Sequence, residues 1–333
     1  LSCVVCHTGF PQLNGFGEAF AGNGYQMPGV GPEGFLKDIG DDKLFLQERL
    51  PLAVRVDSFL RVRNDSDTQV DNESPFAMKL LSSAPLKKDI SYYFYFLFNE
   101  RGDVTGVEDA FLYFNDAFLD LDWDFRLGQF QVSDILFPRE QRLTFQDYSY
   151  YVTRISDSGF NLTYDRSFES TLNLDLTDSL GLSLTGAVAN GNGIGVGDAQ
   201  RNFDSDNFKN FYGKISLSSG GHSLGIYGYS GREKNPATRR NEFFRVGPVF
   251  HIQVMDQLKL WGNFLYGEDD NPDFRAAAAR KIQSWGGFAG MTYLTDSDWI
   301  FTFLYNLVEV KGLDQLDEQT ITGNITYYIS GDA

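Results

Sequence analysis

From residue 50 onward the chain alternates apolar and polar side chains with period two, stretch after stretch. That rhythm marks extended strands with one apolar face, because successive side chains on a strand point to opposite sides. In 54–63, Val54, Val56, Leu60 and Val62 share one face, while Arg55, Asp57, Arg61 and Arg63 share the other. In 121–127, Leu121, Trp123, Phe125 and Leu127 oppose Asp122, Asp124 and Arg126. Ile90, Tyr92, Phe94, Phe96 and Phe98 form an unbroken apolar row. Further rows run through Leu172, Leu174 and Leu176, through Leu224 and Ile226, and through Phe244, Val246, Phe250 and Ile252. The last are Trp299, Phe301, Phe303, Tyr305 and Leu307, then Ile321, Ile325, Tyr327 and Ile329.

The connections narrow the choice of fold. Short turns fall near 84–88, 116–119, 177–179, 219–221, 254–256 and 294–297. Between them lie longer polar or glycine-rich segments at 65–74, 101–106, 132–157, 191–207, 232–240, 268–280 and 310–318. Alternating tight and long connections are the asymmetry of outer-membrane barrels, with short periplasmic turns and long outer loops. The count predicts an all-β, up-and-down antiparallel barrel of about 14–16 strands, fourteen by direct reading, with both barrel ends at the periplasmic rim. Composition agrees. The 30 Phe and 17 Tyr exceed what a soluble core needs, although mean hydropathy is only −0.28 and no apolar run is long enough for a membrane helix. A barrel hides its apolar band in alternation, so averages miss it. A soluble sandwich would not show this many long strands or such dense aromatic rows.

The only two cysteines stand in Cys3-Val4-Val5-Cys6-His7. C-x-x-C-H is the signature of covalent haem attachment. Two thiols three residues apart reach both vinyl groups of one porphyrin, and the next residue offers an imidazole to the iron. A zinc site would need a second ligand pair, which the chain lacks. The cofactor expected is one covalent haem c, with His7 as an axial ligand. For the other axial position the sequence offers Met27, after a glycine-punctuated stretch, or His251, with an open site as the remaining alternative. If Phe250 and Ile252 face lipid, His251 faces inward near the short turn at 254–256. His222 shares parity with Leu224 and Ile226 and points outward. A segment of about 35 residues cannot enclose a haem alone. The division expected is therefore a haem-bearing lumen plug over 1–35, with one short helix in 12–22, and a barrel over 50–330. The chain opens at Leu1 without a basic-then-apolar leader, as a processed protein would.

The net charge of −17 argues against nucleic acid, whose phosphates call for a basic surface. Inward Asp57, Asp89, Asp122 and Asp124 would draw cations into the lumen, but Arg55, Arg61, Arg63 and Arg126 share that face. Interior ion pairs and an ion path explain them equally, and haem propionates would also seek those arginines. Acidic groups in two outer loops, Asp198, Asp204 and Asp206, then Glu268, Asp269, Asp270 and Asp273, suit either solvation or hard cations.

Cys3-x-x-Cys6-His7-Thr8, Pro11-x-Leu13-Asn14-x-x-Gly17-x-x-Phe20 and Gly24-Tyr25 together resemble the haem segment of fused monohaem cytochrome–porins, outer-membrane proteins of iron-oxidising and other electron-exchanging bacteria. Gly128-Gln129-Phe130 and the stretch from Leu184 to Gly191 resemble phosphate-selective-type porins. The resemblance implies a haem held by Cys3 and Cys6 with His7 proximal, and a barrel of about sixteen strands in the outer membrane. It also implies oxidation of extracellular Fe(II), with electrons passed to periplasmic c-type cytochromes. Two departures stand out. The strand count is fourteen, so either 158–176 merges two strands or the C-terminal end lies beyond this chain, and Ala333 is not the terminal aromatic of many outer-membrane barrels. Two alternatives remain: a component of a larger conduit contacting multihaem cytochromes, and a solute porin in which the haem segment is a plug. A phosphate porin would want a strongly basic lumen, which the charge balance disfavours.

Overall fold

The computed structural model describes residues 5–9, 11–26, 36–41, 44–47, 51–64, 68–87, 89–100, 102–118, 121–144, 146–195, 199–204, 206–235, 237–276, 279–296 and 299–327. A two-stranded ribbon, β1 (His7–Gly9) with β2 (Gln12–Leu13), leads into helix α1 (Gly15–Gly22). A small hairpin follows, β3 (Leu36–Asp41) with β4 (Leu44–Gln47). The remaining strands form one sheet: β5 (Ala53–Asn64), β6 (Thr68–Lys87), β7 (Ile90–Glu100), β8 (Gly106–Phe114), β9 (Trp123–Gln131), β10 (Tyr164–Thr177) and β11 (Leu180–Ala189). The second half is β12 (Asn210–Ser219), β13 (His222–Lys234), β14 (Arg240–Met255), β15 (Leu258–Asp269), β16 (Ile282–Leu294), β17 (Trp299–Val310) and β18 (Glu318–Tyr327). Every strand pairs antiparallel with its neighbours in sequence, from β5 to β18, giving a 14-stranded up-and-down meander.

Burial alternates as the sequence rows require. Val54, Leu60, Leu224, Ile226, Phe301 and Ile321 are exposed on the outer face. The positions between them, such as Tyr95, Tyr227, Ile300, Leu304 and Asn306, are buried in the lumen. His251 faces inward and His222 outward, in line with strand parity. Polar inward groups survive burial because they pair: Arg55 with Asp57 at 2.8 Å, Arg61 with Glu73 at 2.9 Å, and Arg126 with Asp134 at 3.0 Å and Glu169 at 2.9 Å. These pairs stiffen the wall and leave Arg55, Arg61 and Arg126 committed; the side chain of Arg63 lies outside the description.

Three sequence readings are corrected. The expected long connection at 65–74 is strand from Thr68 on, because β6 runs 20 residues and its polar stretch faces Arg61 across the ladder through Glu73. The stretch 158–176 does not merge two strands: loop gives way at Tyr164 to the single strand β10, so the count stays at fourteen. Finally, the long connection expected at 132–157 is not an ordinary outer loop. It folds into the lumen, where a one-turn helix, α2 (Ser149–Val152), carries Tyr150 and Tyr151 into the core.

That infolded segment is the barrel's core. Val132, Leu136, Tyr148, Ile155, Phe160 and Leu162 bury against inward wall residues including Trp261, Leu265, Phe288 and Val308. Tyr148 stacks on Phe288 with centroids 3.9 Å apart at 13°, and Phe160 stacks on Phe243 at 4.3 Å. The Tyr150 hydroxyl shares a hydrogen bond with Ser284 Oγ at 2.8 Å, and Asn306 Nδ2 donates to the Asp147 carbonyl at 3.1 Å. The Arg245 guanidinium, held by buried Asp269 at 2.8 Å, covers the Phe160 ring at 5.2 Å. Each large side chain so buried contributes roughly 1.5–3 kcal/mol.

Candidate functional site

The haem-signature residues sit on a small, tightly braced unit. Asn14 organises it: its backbone N–H donates to the Cys6 carbonyl at 2.9 Å, and its Nδ2 donates to the Val5 carbonyl at 3.0 Å. Its Oδ1 caps α1 by accepting from the Gly17 N–H at 2.9 Å. The helix then lies directly on the cysteine turn. A Cβ at position 17 would stand 2.0 Å from the Cys6 carbonyl oxygen, so only glycine permits this approach.

His7 follows immediately. Its Nδ1 lies 3.2 Å from the Pro11 carbonyl, which can only accept, so Nδ1 carries the proton. The lone pair of that tautomer is on Nε2, the form and orientation of a metal-ligating imidazole braced through its other nitrogen. Burial pushes the His7 imidazole below its usual value, against opposing hydrogen bonds to the backbone of Pro11 and Gln12, and so favours the neutral ring that a ligand must be. These features fit a c-type haem on the Cys6–His7 turn. Cys3 and Met27 lie outside the described residues.

The unit docks into the short-turn mouth of the barrel. Tyr25 stacks on inward Tyr93 at 5.1 Å, and Tyr93 stacks in turn on Phe111 at 5.2 Å. The Tyr113 hydroxyl sits 2.7 Å from the Gly22 carbonyl, and Asn115 Nδ2 donates to Asn23 Oδ1 at 2.8 Å. Gly24 adopts φ +59°, and a Cβ there would meet the Tyr113 ring at 2.7 Å. Phe20 meets Tyr25 edge to face at 6.1 Å, tying the helix to this aromatic stack.

Between this unit, the infolded segment and the wall lies a cavity of about 510 Å³. Gln12, Leu13, Glu18 and Ala21 line it from the N-terminal side, Asp134, Phe137, Arg142 and Tyr148 from the infolded segment, and Lys214, His251, Lys259 and Trp261 from the wall. Its size is that of a small-molecule or cofactor pocket, for which about 300–1,000 Å³ is typical. Leu13, the ladder partner of His7, thus shares one void with His251. Sequence reasoning placed His251 inward but missed Arg142, Lys214 and Lys259. Lys214 and Lys259 gave no signal beyond strand parity, and Arg142 sits in a segment read as outer loop.

Several of the acidic positions are engaged by cations. Glu268 and Asp270 both bind Lys281, Asp273 binds Arg275 and Asp204 binds Lys209, while Asp269 holds Arg245 and Asp198 is outside the described residues. Asp116, Asp122 and Asp124 bring carboxylate oxygens within 4.8 Å of one another at the short-turn end. They also take local bonds: Asn115 to Asp116, Asn173 to Asp122, and Tyr113 and the Asp116 N–H to Asp124.

The fold is that of outer-membrane porin barrels. The chain is similar to an anion-selective porin from Comamonas acidovorans (12% identity, TM-score 0.55, 83% of each chain covered). It is likewise similar to the outer membrane channel DcaP of Acinetobacter baumannii (13% identity, TM-score 0.54, 84% of this chain and 87% of that one). No protein-family model and no curated protein matches the sequence.

Proposed function

We propose that this chain is an outer-membrane electron-transfer protein that carries one covalent haem c at the periplasmic mouth of a porin-like barrel. It would accept electrons from extracellular Fe(II) and pass them to periplasmic c-type cytochromes. The observation that carries the reading is His7 Nδ1 set 3.2 Å from the Pro11 carbonyl, one residue from Cys6. In this reading Cys3 and Cys6 would hold the haem covalently, and His7 Nε2 would ligate its iron. For a second ligand Met27, His251 and an open position all remain; His251 lines the cavity beside Leu13, and Met27 lies outside the described residues. When bound, the haem supplies reversible one-electron exchange: one electron in from Fe(II), leaving Fe(III), and one out to a periplasmic cytochrome.

The chain's own residues bind and shield. Asn14 and Gly17 hold the cysteine turn against α1, Tyr93 and Tyr113 seat the unit in the mouth, and Tyr148, Phe137 and Trp261 keep the cavity wall apolar. The outward aliphatic and aromatic rows meet lipid. The barrel hydrocarbon band is about 25 Å tall, so a haem at one mouth requires the donor or a redox partner to reach inward from the other side. Multihaem cytochromes docked at the outer rim would serve as that partner in a larger conduit.

A solute porin with a haem plug is the second reading, favoured by the fold itself. Against it stands the infolded segment, which packs aromatic side chains across the lumen where a solute path would run.

The test is an absorption spectrum and redox titration of detergent-purified protein from cells competent to mature cytochromes. The expected result is a c-type α-band that appears on adding Fe(II) and is lost in His7→Ala. A colourless protein, or a haem indifferent to every donor while the barrel conducts solutes in liposomes, overturns the proposal in favour of the porin.

A further inference from the structure

The cavity beside the N-terminal unit breaks the charge economy of the rest of the lumen. Elsewhere inside the barrel, six described cations are matched: Arg55 with Asp57, Arg61 with Glu73, Lys79 with Glu140, Arg126 with Asp134 and Glu169, Arg139 with Asp147, and Arg245 with Asp269. Three cations line this one void, Arg142, Lys214 and Lys259, and none forms an ion pair with a carboxylate among the described residues. Nearby acids are already engaged. Glu169, which acts on Lys214, is bound to Arg126. Glu140 and Asp147, which act on Arg142, are bound to Lys79 and Arg139. Glu18 acts on Lys259 without forming an ion pair with it. The Arg142 Nε is buried without an acceptor among the described residues.

In a chain of net charge −17, three cations with no ion pair among the described residues face one half-enclosed space, the makings of an anion cradle. Resting on the haem reading above, we propose that Arg142, Lys214 and Lys259 receive the two propionate carboxylates of the haem, and that their charge raises its potential. The lumen arginines Arg55, Arg61 and Arg126 do not serve, because wall carboxylates hold them. The void is the right recipient on two further counts: it adjoins Leu13, the strand partner of His7, and Phe137, Tyr148 and Trp261 offer it apolar walls.

The physical consequence is readable without any turnover assay. Cations beside the propionates favour the reduced, less positive haem and hold the propionates ionised. Removing one lowers the midpoint potential and moves its pH-dependent region upward towards neutrality. The other groups facing the void, Glu18, Asp134 and His251, remain in place in the test variants.

The experiment is a spectroscopic redox titration between pH 5 and 9 on purified wild type, Lys214→Gln, Lys259→Gln, Lys214→Arg and, at the opposite rim, Lys209→Gln. Each Lys→Gln change in the cradle is expected to weaken reduction about tenfold, which is about 59 mV for one electron, and to shift the pH profile upward. Lys214→Arg and Lys209→Gln should match wild type. If Lys214→Gln fails to insert, Lys259→Gln carries the same test. Coloured variants with an unmoved potential and pH profile overturn the cradle alone, as does an equal shift in Lys209→Gln. Succinate serves as the probe for a free dicarboxylate occupant: saturable binding to the haem-loaded protein overturns the assignment to propionates, and no binding supports it. A colourless wild type overturns the proposed function and this inference together.

Discussion

Residue by residue, the N-terminal unit depends on one close approach and one imidazole brace. Gly17 lets α1 rest on the Cys6 carbonyl, and a methyl group there has nowhere to go because the obstructing atom is backbone. Gly22, at the other end of the same helix, has no atom within 4 Å of its would-be Cβ. Gly17→Ala should therefore displace the cysteine turn and cut covalent haem yield severalfold. Gly22→Ala should be tolerated, with a helix-propensity gain of about 0.5–1 kcal/mol. Haem content per protein and limited proteolysis of the N-terminal segment read both; equal yields from the two variants would show that the helix does not brace the attachment site. The pairing of Cys6 with His7 that motivates the haem proposal was legible from their spacing alone. The requirement for glycine at 17 was not, because it comes from a contact across eleven residues that no local pattern announces.

At the scale of elements, the 132–163 segment decides what the lumen is. Its length and its tyrosines set it apart from the other connections, and an aromatic-rich loop has little reason to remain in water. Arg126 anchors its first turn through Asp134 and the wall through Glu169, and its guanidinium covers the Phe130 ring at 3.7 Å. Arg126→Gln leaves two buried carboxylates unmatched, a loss of about 3–5 kcal/mol by analogy with broken buried pairs. The expected outcome is an opened lumen: higher single-channel conductance in planar bilayers and a lower temperature for loss of the compact band in unheated gel electrophoresis. Unchanged conductance would mean that the segment does not gate the pore. Strand positions were legible because a period-two apolar row survives in any context. The infolding was not, since periodicity is silent about where an irregular segment goes.

For the whole molecule, the two faces of the wall define its surroundings. Trp299 is outward and 42% exposed, whereas Trp261 is inward, 6% exposed, and donates to Thr292 Oγ1 at 3.1 Å. In bilayers containing brominated acyl chains, a variant keeping only Trp299 should lose most of its fluorescence, and one keeping only Trp261 should lose little. Equal quenching would contradict the assignment of faces. The same two-faced wall explains why a chain of mean hydropathy −0.28 has a membrane protein's fold: half of each strand is written for the lumen, and the average cancels.

The amino-acid sequence by itself determined the all-β meander, its fourteen strands, the inward turn of His251 and the paired thiols with their imidazole. All of these follow from periodicity or short-range spacing, which backbone geometry reads directly. Only the tertiary structure decided what fills the lumen, which arginines are already taken, and that Arg142, Lys214 and Lys259 converge on one void. Those outcomes depend on which side chains meet across distant strands. Such meetings are set by strand register and by how an irregular segment packs inside the barrel wall, and neither has a local signature in the chain.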